Sequence, residues 1–344
     1  MKFKAVTLDD ALGDIMRRLL RSGTRINAGR GRAREFTCVL VELSDPTARF
    51  SRTEGRGVLI SLIGETLWYL AGSDRLKHIE HYIPKYRTFI KASPRAVRAP
   101  GAYGPRLFGG GEQSQMAKLL VTLKQKLGSS DTRQAVAQIF DRSDLKPGNG
   151  DVPCTTTLQF LPRRGKLHLA ATMRSNDVYR GFPGDVFAFT FIQELVARTL
   201  DLEVGTYSHF VGSLHLYDTD EAKARDYLNE GFQTPISMPS MPQGDPWSSV
   251  MWLLEAEQAI RCGVPEPASA GIDPYWLDLA RLLKIKVLHD MRDVRHLVQV
   301  KNEMVSPVYN AFIRGRQVAL QRRLLESQPD LPGILLSTNK TRTL

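Results

Sequence analysis

The sequence predicts an α/β chain, of the α+β kind, from three observations. Two runs with period-two alternation, 155–162 and 166–173, are joined by a tight turn at 163–165. Two long apolar stretches, 57–73 and 187–202, have the length and composition of buried helices. The β-branched, apolar run 36–43 and the segment 205–217 supply further strands. Across 344 residues, 42% hydrophobic content is enough to bury a core in one large domain or two ordinary ones.

In chain order, residues 7–22 place Leu8, Ala11, Leu12, Ile15 and Leu19 on one helical face. FTCVLVEL (36–43) reads as a strand. GVLISLIGETLWYLAGS (57–73) reads as a helix ending near Gly72, with Glu65 the single acid in an apolar run. Pro84, Pro94, Pro100 and Pro105 make 76–111 loop-like. A helix at 112–127 is followed by the turn GSSDT and by RQAVAQIFD, a strand or a helix edge. After the hairpin come the helix FAFTFIQELVARTLDL (187–202) and the strand GTYSHFVGSLHLY (205–217). Beyond about 225 the texture changes: TPISMPSMPQGDP (234–246) reads as a connector or extended arm, and 247–262 and 273–327 as helices. The expected organisation is an N-terminal helix (1–24), a core (25–225) and a connector with a helical C-terminal extension (226–344).

Charge and cysteine content bound the function. Against 36 acidic residues stand 47 basic ones, a balance of +11 that suits a polyanionic partner, either nucleic acid or a small phosphate. Arg17, Arg18 and Arg21 read as a solvated helix face. TRINAGRGRAREF, with Arg25 and Arg30, is either a basic loop or a phosphate-wrapping one. Cys38, Cys154 and Cys262 are odd in number and far apart, which argues against a disulfide framework or a CxxC metal site. No apolar run approaches the roughly 20 residues of a membrane span, and no signal-peptide core is visible, so the cytoplasm is the expected compartment.

The stretch from Cys154 to Asp185 gathers a thiol, an Arg-Ser pair and two carboxylates, Asp177 and Asp185, around the hairpin. A lone buried carboxylate such as Glu65 is costly unless paired or functional, and the alternatives of solvent exposure or an arginine partner stay open. Tyr103, between glycines in GAYGPRLFGGG, suits a side chain presented into a cleft or a plain turn. Asp185 is also a favoured cap for a helix beginning near Val186.

Seven motifs in order, GETLWYLAG, AYGPR, DTRQAV, PCTTTLQF, MRSND, GFPGD and GSLHLY, resemble the thymidylate synthase family over about residues 25–220. CTTTLQF and MRSNDVYRGF are similar to its cytidylate-hydroxymethylating branch. The resemblance implies a large, mostly antiparallel sheet flanked by helices, a homodimer formed through the sheet, and no metal. It implies that Cys154 adds as thiolate to C6 of a pyrimidine, its pKa lowered by Arg174 or Arg133. Arg174, Ser175, an N-terminal arginine (Arg30 or Arg25) and Arg133 of the other subunit would hold the 5′-phosphate. Glu65 would act near the one-carbon unit, Tyr103 would help remove the C5 proton, and His215 and Tyr217 would bind the sugar. Asp177, the turn starting at Gly181, and Phe89 would face 5,10-methylenetetrahydrofolate, the implied co-substrate.

Asp185 stands where thymidylate synthases carry Asn. An Asn amide suits uracil, whereas a carboxyl can accept from cytosine N4–H₂ and share a proton with N3. The implied substrate is therefore a cytosine nucleoside monophosphate and the implied activity deoxycytidylate 5-hydroxymethyl transfer, with nucleic acid not required. A dCMP 5-methyltransferase, a ribo-CMP hydroxymethylase of nucleoside-antibiotic biosynthesis, and a non-catalytic nucleotide- or nucleic-acid-binding protein are the alternatives. Departures from the family pattern are Gln134 after Arg133, Thr155 where the family has His, and no tryptophan between Trp68 and Trp247, leaving Tyr86 or Phe89 in its place.

Overall fold

A computed structural model describes residues 1–51, 58–231 and 234–326. Strand β1 (Lys2–Ala5) leads into helix α1 (Leu8–Ser22), whose start is set by a capping box. Thr7 Oγ1 accepts from Asp10 N at 3.2 Å, and Asp10 Oδ2 accepts from Thr7 N at 3.1 Å. All five residues of the expected apolar face of α1 are buried. The segment TRINAGRGRAREF is a β-hairpin of β2 (Thr24–Ala28) and β3 (Gly31–Leu43), with Gly31 at φ +122° in its turn.

Helix α2 (Leu59–Leu70) ends before Gly72, at φ +59°; residue 57, the expected helix start, lies outside the described residues. The span 76–111 is not simply loop: it holds α3 (Leu76–Tyr82), α4 (Tyr86–Phe89) and α5 (Tyr103–Phe108). Proline interrupts helices from within but is compatible with a first turn, where Pro105 stands. Helix α6 (Gln115–Lys126) starts at the Ser114 cap, after a 3₁₀ turn that takes the expected residues 112 and 113. RQAVAQIFD contains strand β4 (Val136–Gln138).

The hairpin forms as expected between β5 (Thr155–Arg163) and β6 (Lys166–Asp177), with Arg164 and Gly165 at positive φ in the turn. Helix α7 (Gly181–Thr199) begins six residues before the expected 187, so Asp185 lies in its second turn and is not its cap. Strand β7 (Glu203–Tyr217) follows, then α8 (Glu221–Asn229) and α9 (Trp247–Cys262). The expected helix 273–327 is three: α10 (Pro274–Asp290), α11 (Val294–Asn302) and α12 (Asn310–Glu326). Arg292 at φ +60° and Pro307 mark the two breaks, and residue 327 onward lies outside the described residues.

The strands form one sheet in the order β1-β3-β7-β6-β5-β4, with β2 paired to β3. Pairings β2–β3, β3–β7, β4–β5 and β5–β6 are antiparallel, so the mostly antiparallel expectation holds. Pairings β1–β3 and β6–β7 are parallel, and α7 is the crossover that a parallel β6–β7 pair requires. Helix α7 is apolar on nearly every side, with Phe187, Leu195 and Val196 fully buried, each contributing about 1.5–3 kcal/mol of burial. Its far side packs on α2, and α2 also contacts α9 and α10, which places the C-terminal helices in the same hydrophobic core.

The Pro-rich segment is an arm pinned to α7. Met241 N donates to Glu194 Oε1 at 2.9 Å, Arg198 Nε donates to Met241 O at 3.0 Å, and Trp247 Nε1 donates to Thr199 Oγ1 at 3.0 Å.

Midway along the sheet one row is kinked, and this row positions the site. Cys38 of β3 is at φ +52°, and the register passes directly from Thr37↔Ser213 to Val39↔Val211. In the same row, a Cβ on Gly212 would lie 2.9 Å from the Arg174 carbonyl oxygen, so glycine lets β6 and β7 close together there. The β5–β6 register also shifts between Thr155 and Thr157. Arg174 still follows the alternation of Leu167, Leu169, Ala171 and Met173, which breaks after it: Ser175 is half-buried and Asn176 is the buried residue.

Candidate active site

Four elements converge where β5 begins. Cys154 stands at its mouth, and the next amide, Thr155 N, donates to Tyr103 Oη at 3.2 Å. Tyr103 opens α5, which is drawn onto the end of α2 because Gly104 has no Cβ: one would lie 2.9 Å from the Ser73 carbonyl oxygen. The Tyr103 ring lies 5.2 Å from that of Tyr69, and Tyr69 Oη donates to Glu65 Oε1 at 3.1 Å. Among the described residues the hydrogen-bond partner of Glu65 is thus the tyrosine one turn on, not an arginine, and its side chain is half-buried. On the other side, a Cβ on Gly184 of α7 would lie 3.2 Å from Glu65 Oε2, which brings Glu65 beside Asp185.

Cys154, Glu65, Tyr103 and Asp185 are each surrounded by protein yet keep some accessible surface, as side chains on the floor of a recess do. Their electrostatics follow from that burial. Burial, then the Glu65 charge, pushes the Asp185 carboxyl well above the usual carboxylate range, opposed by the Asn176 amide that donates to Oδ2 at 3.1 Å. Burial raises Glu65 to about 7, opposed by the Tyr69 hydroxyl. The Cys154 thiol is raised: burial outweighs the downward pull of Arg174 and Arg30, and Asp185 and Asp151 add to the rise. The expectation of a lowered thiol pKa is thus corrected, and the cations with the largest effect on the thiol are Arg174 and Arg30.

Because Glu65 binds its proton more tightly in the folded state, its contribution to stability is full below about 4.5 and is lost as pH rises through about 7. Glu65→Gln, which keeps the acceptor for Tyr69, is expected to raise stability at pH 8 by on the order of 2–3 kcal/mol and to leave it nearly unchanged at pH 4. Urea denaturation at both pH values checks this; equal gains at both would refute it.

Beside Cys154, the Arg174 guanidinium donates from Nε to the Pro153 carbonyl and from Nη2 to the Val152 carbonyl, both at 2.9 Å. This ties it to the loop that carries Cys154 and leaves further N–H groups. Ser175 sits beside Ser213 in the β6–β7 register. Of the two N-terminal candidates, Arg25 is paired with Asp218 at 3.1 Å. Arg30 donates to the Phe89 carbonyl and acts on Cys154, Asp151 and Tyr217. Arg133 is exposed, its carbonyl accepting from Gln159 Nε2 at 3.0 Å near the β4 edge, and among the described residues no hydrogen bond or ion pair joins its side chain to these groups.

Further along β6 and β7, Asp177 and His215 are register neighbours, and the His215 ring meets that of Tyr217 edge-on at 4.8 Å. Asp177 Oδ1 accepts from Tyr179 N at 2.8 Å and Arg180 N at 3.1 Å, an Asx turn that launches α7 earlier than its glycines suggest. Burial raises the Asp177 carboxyl. Arg180 lies 5.8 Å over the Phe89 ring and forks onto Asp220 at 2.6 and 2.9 Å. Gly181 is needed for packing: a Cβ there would lie 2.9 Å from Asn176 Oδ1. Of the two aromatic candidates, Tyr86 packs edge-on against Trp68 at 5.3 Å within reach of the Glu65 and Asp185 charges, while Phe89 lies under Arg180.

Sequence reading missed three members of the site. Asp151 acts on the Cys154 thiol and accepts through Oδ2 from Gly101 N at 2.8 Å. Tyr69 was legible as the i+4 neighbour of Glu65. Asn176 was not, because the strand alternation puts it outward unless the kink is known. Among the described residues, no cluster of three or more His, Cys, Asp or Glu could hold a metal ion, and no helix is long and apolar enough to cross a membrane.

The chain is also similar in sequence to known proteins. The chain is similar to the deoxyuridylate hydroxymethyltransferase of Bacillus phage SP01, 30% identical over 221 residues, covering 60% of this chain and 56% of that protein. It is 29% identical over 205 residues to the deoxyuridylate hydroxymethyltransferase of Delftia phage PhiW-14, covering 55% of each. With the thymidylate synthase of Listeria monocytogenes serotype 4a (strain HCC23) it shares 26% over 154 residues, 45% of this chain and 47% of that one. The chain spans about half the length of the curated relatives it matches. The family model described as thymidylate synthase matches residues 14–243, well over half of the sequence, and the chain belongs to the thymidylate synthase family.

Proposed function

We propose that the chain transfers a one-carbon unit from 5,10-methylenetetrahydrofolate to C5 of a cytosine nucleoside monophosphate, giving the 5-hydroxymethyl product. The observation that carries this reading is Asp185: a carboxyl in the Cys154–Tyr103–Glu65 recess, biased toward its protonated form. As Cys154 sulfur bonds to C6, the C5=C6 electron pair is displaced, and the Asp185 proton at N3 of cytosine stabilises the charge. C5 forms its bond to the one-carbon unit, which the bound folate supplies. The C5 proton leaves towards Tyr103, whose oxygen is fixed by Thr155 N, and the bond from the one-carbon unit to the folate nitrogen breaks, releasing tetrahydrofolate and leaving an exocyclic methylene on C5. Water then adds at the exocyclic carbon beside Glu65 as sulfur leaves C6.

Arg174, Ser175 and Arg30 would hold the phosphate, and His215 and Tyr217 the sugar. Arg133, exposed away from its own recess, would serve the site of a second copy in a homodimer. Asp177, with one oxygen fixed by two amides, would take the pterin N–H edge, with Gly181 and Phe89 beside it. A second reading, deoxyuridylate as substrate, is favoured by the names of the two phage relatives. Incubating the chain with methylenetetrahydrofolate and dCMP, CMP or dUMP, with product mass read out, tests the proposal. It predicts a hydroxymethylated cytosine nucleotide. A methylated product would contradict the water step, and a product from dUMP alone would contradict the base assignment.

A further inference from the structure

Behind Asp185 lies a buried chain of polar groups that the proposed chemistry does not use. Asn176 Nδ2 lies 3.1 Å from Asp185 Oδ2, 3.1 Å from His209 Nε2 and 2.9 Å from Met173 Sδ. His209 Nδ1 lies 2.6 Å from Tyr207 Oη. Asn176, His209 and Tyr207 are all buried, and the His209 ring is wedged edge-on against Phe182 at 5.0 Å. We infer that Asn176, His209 and Tyr207 form a positioning relay that fixes which oxygen of Asp185 carries its proton, and thereby sets the preference between cytosine and uracil.

The amide of Asn176 has two hydrogens and two strong acceptors in reach, Asp185 Oδ2 and His209 Nε2. Burial lowers His209 to about 3, so the ring is neutral and can accept through one nitrogen. With Nε2 accepting, the ring proton lies on Nδ1 towards Tyr207 Oη. The amide is then locked with its nitrogen towards Asp185, and its oxygen rests against Gly181, where no Cβ intrudes. Oδ2 of Asp185 is thus an acceptor, and a proton on this carboxyl is confined to Oδ1.

That asymmetry matters for base reading. Cytosine offers N3 as acceptor and N4–H₂ as donor, while uracil offers N3–H as donor and O4 as acceptor. A carboxylic acid free to carry its proton on either oxygen fits both bases. An acid whose proton is confined to one oxygen fits only one. The relay therefore converts a group that is chemically indifferent into a selective one.

This inference rests on Asp185 facing the base, and the experiment separates the two. Release of tritium from C5-labelled dCMP and dUMP gives the ratio of kcat/KM for the two nucleotides in the full chain. His209→Leu removes the acceptor and is expected to pull the ratio towards unity by at least about tenfold, the scale of one lost buried hydrogen bond. His209→Gln, whose Oε1 can accept from Asn176, is expected to restore most of the preference. If His209→Leu does not fold, Tyr207→Phe, which deletes one oxygen, carries the test, with a smaller shift in the same direction. A folded His209→Leu, or in its place Tyr207→Phe, with the ratio of the unsubstituted chain would overturn the relay. If Asp185→Asn shifts the ratio and the relay variants do not, only the relay is lost. If Asp185→Asn leaves it unchanged, the base assignment of Asp185 is lost with it.

Discussion

Cys154→Ala is expected to abolish exchange of the C5 hydrogen, by at least about 10⁴-fold in kcat, because removing a covalent nucleophile removes the path itself and not one contact within it. The fold should tolerate the change. Cys154 sits at the mouth of β5 with some surface open to the recess, and its structural contacts are made by backbone: its carbonyl accepts from Arg174 N at 2.9 Å. Nucleotide binding should survive within about tenfold, since Arg174, Ser175 and Arg30 are untouched. Titration calorimetry with dCMP beside tritium release separates the outcomes. Loss of binding together with turnover would show Cys154 to be structural, and residual turnover within about a hundredfold would exclude the covalent path.

Asp185→Asn is expected to reverse the base preference. Asn cannot supply a proton to N3 of cytosine, and its amide nitrogen suits O4 of uracil while its oxygen accepts from N3–H. Sites built on paired hydrogen bonds discriminate by about 10⁴ when a partner is left unmatched, so a change of about 10²–10⁴ in the dCMP-to-dUMP ratio of kcat/KM is anticipated. The same substitution removes a buried acid held far from its ordinary protonation range, so the variant should be at least as stable as the parent at pH 8. A stable variant with an unchanged ratio would show that the base is read elsewhere.

What was legible in the sequence is what local pattern dictates. The β5–β6 hairpin could be read from its alternation, and helix α1 from its apolar face, with Thr7 and Asp10 supplying its capping box. Helix α7 was placed late because Gly181, Pro183 and Gly184 look like a turn. In the fold, Asp177 organises the first turn, Gly181 leaves room for the Asn176 amide oxygen, and Gly184 lets Glu65 pack closely. Both glycines serve packing against distant residues that no local window contains. The prolines of 76–111 misled for a related reason, since the short helices α3, α4 and α5 fit around them, with Pro105 in the first turn of α5.

The site divides along the same line. Cys154, Glu65, Tyr103 and Asp185 lie on four elements yet are brought to one recess, and their resemblance to a family motif set made them readable before the fold was known. The sign of the Cys154 shift was not readable, because burial and the neighbouring Asp151 depend on how deeply the recess is closed. Nor was the Asn176–His209–Tyr207 chain, which depends on the kink at Arg174 and Gly212 turning one residue of β6 inward.

The most direct measurement is release of tritium from C5-labelled dCMP and dUMP by the unsubstituted chain, with methylenetetrahydrofolate present. A cytosine-reading Asp185 predicts faster release from dCMP, expressed as kcat/KM. Equal or faster release from dUMP would contradict it.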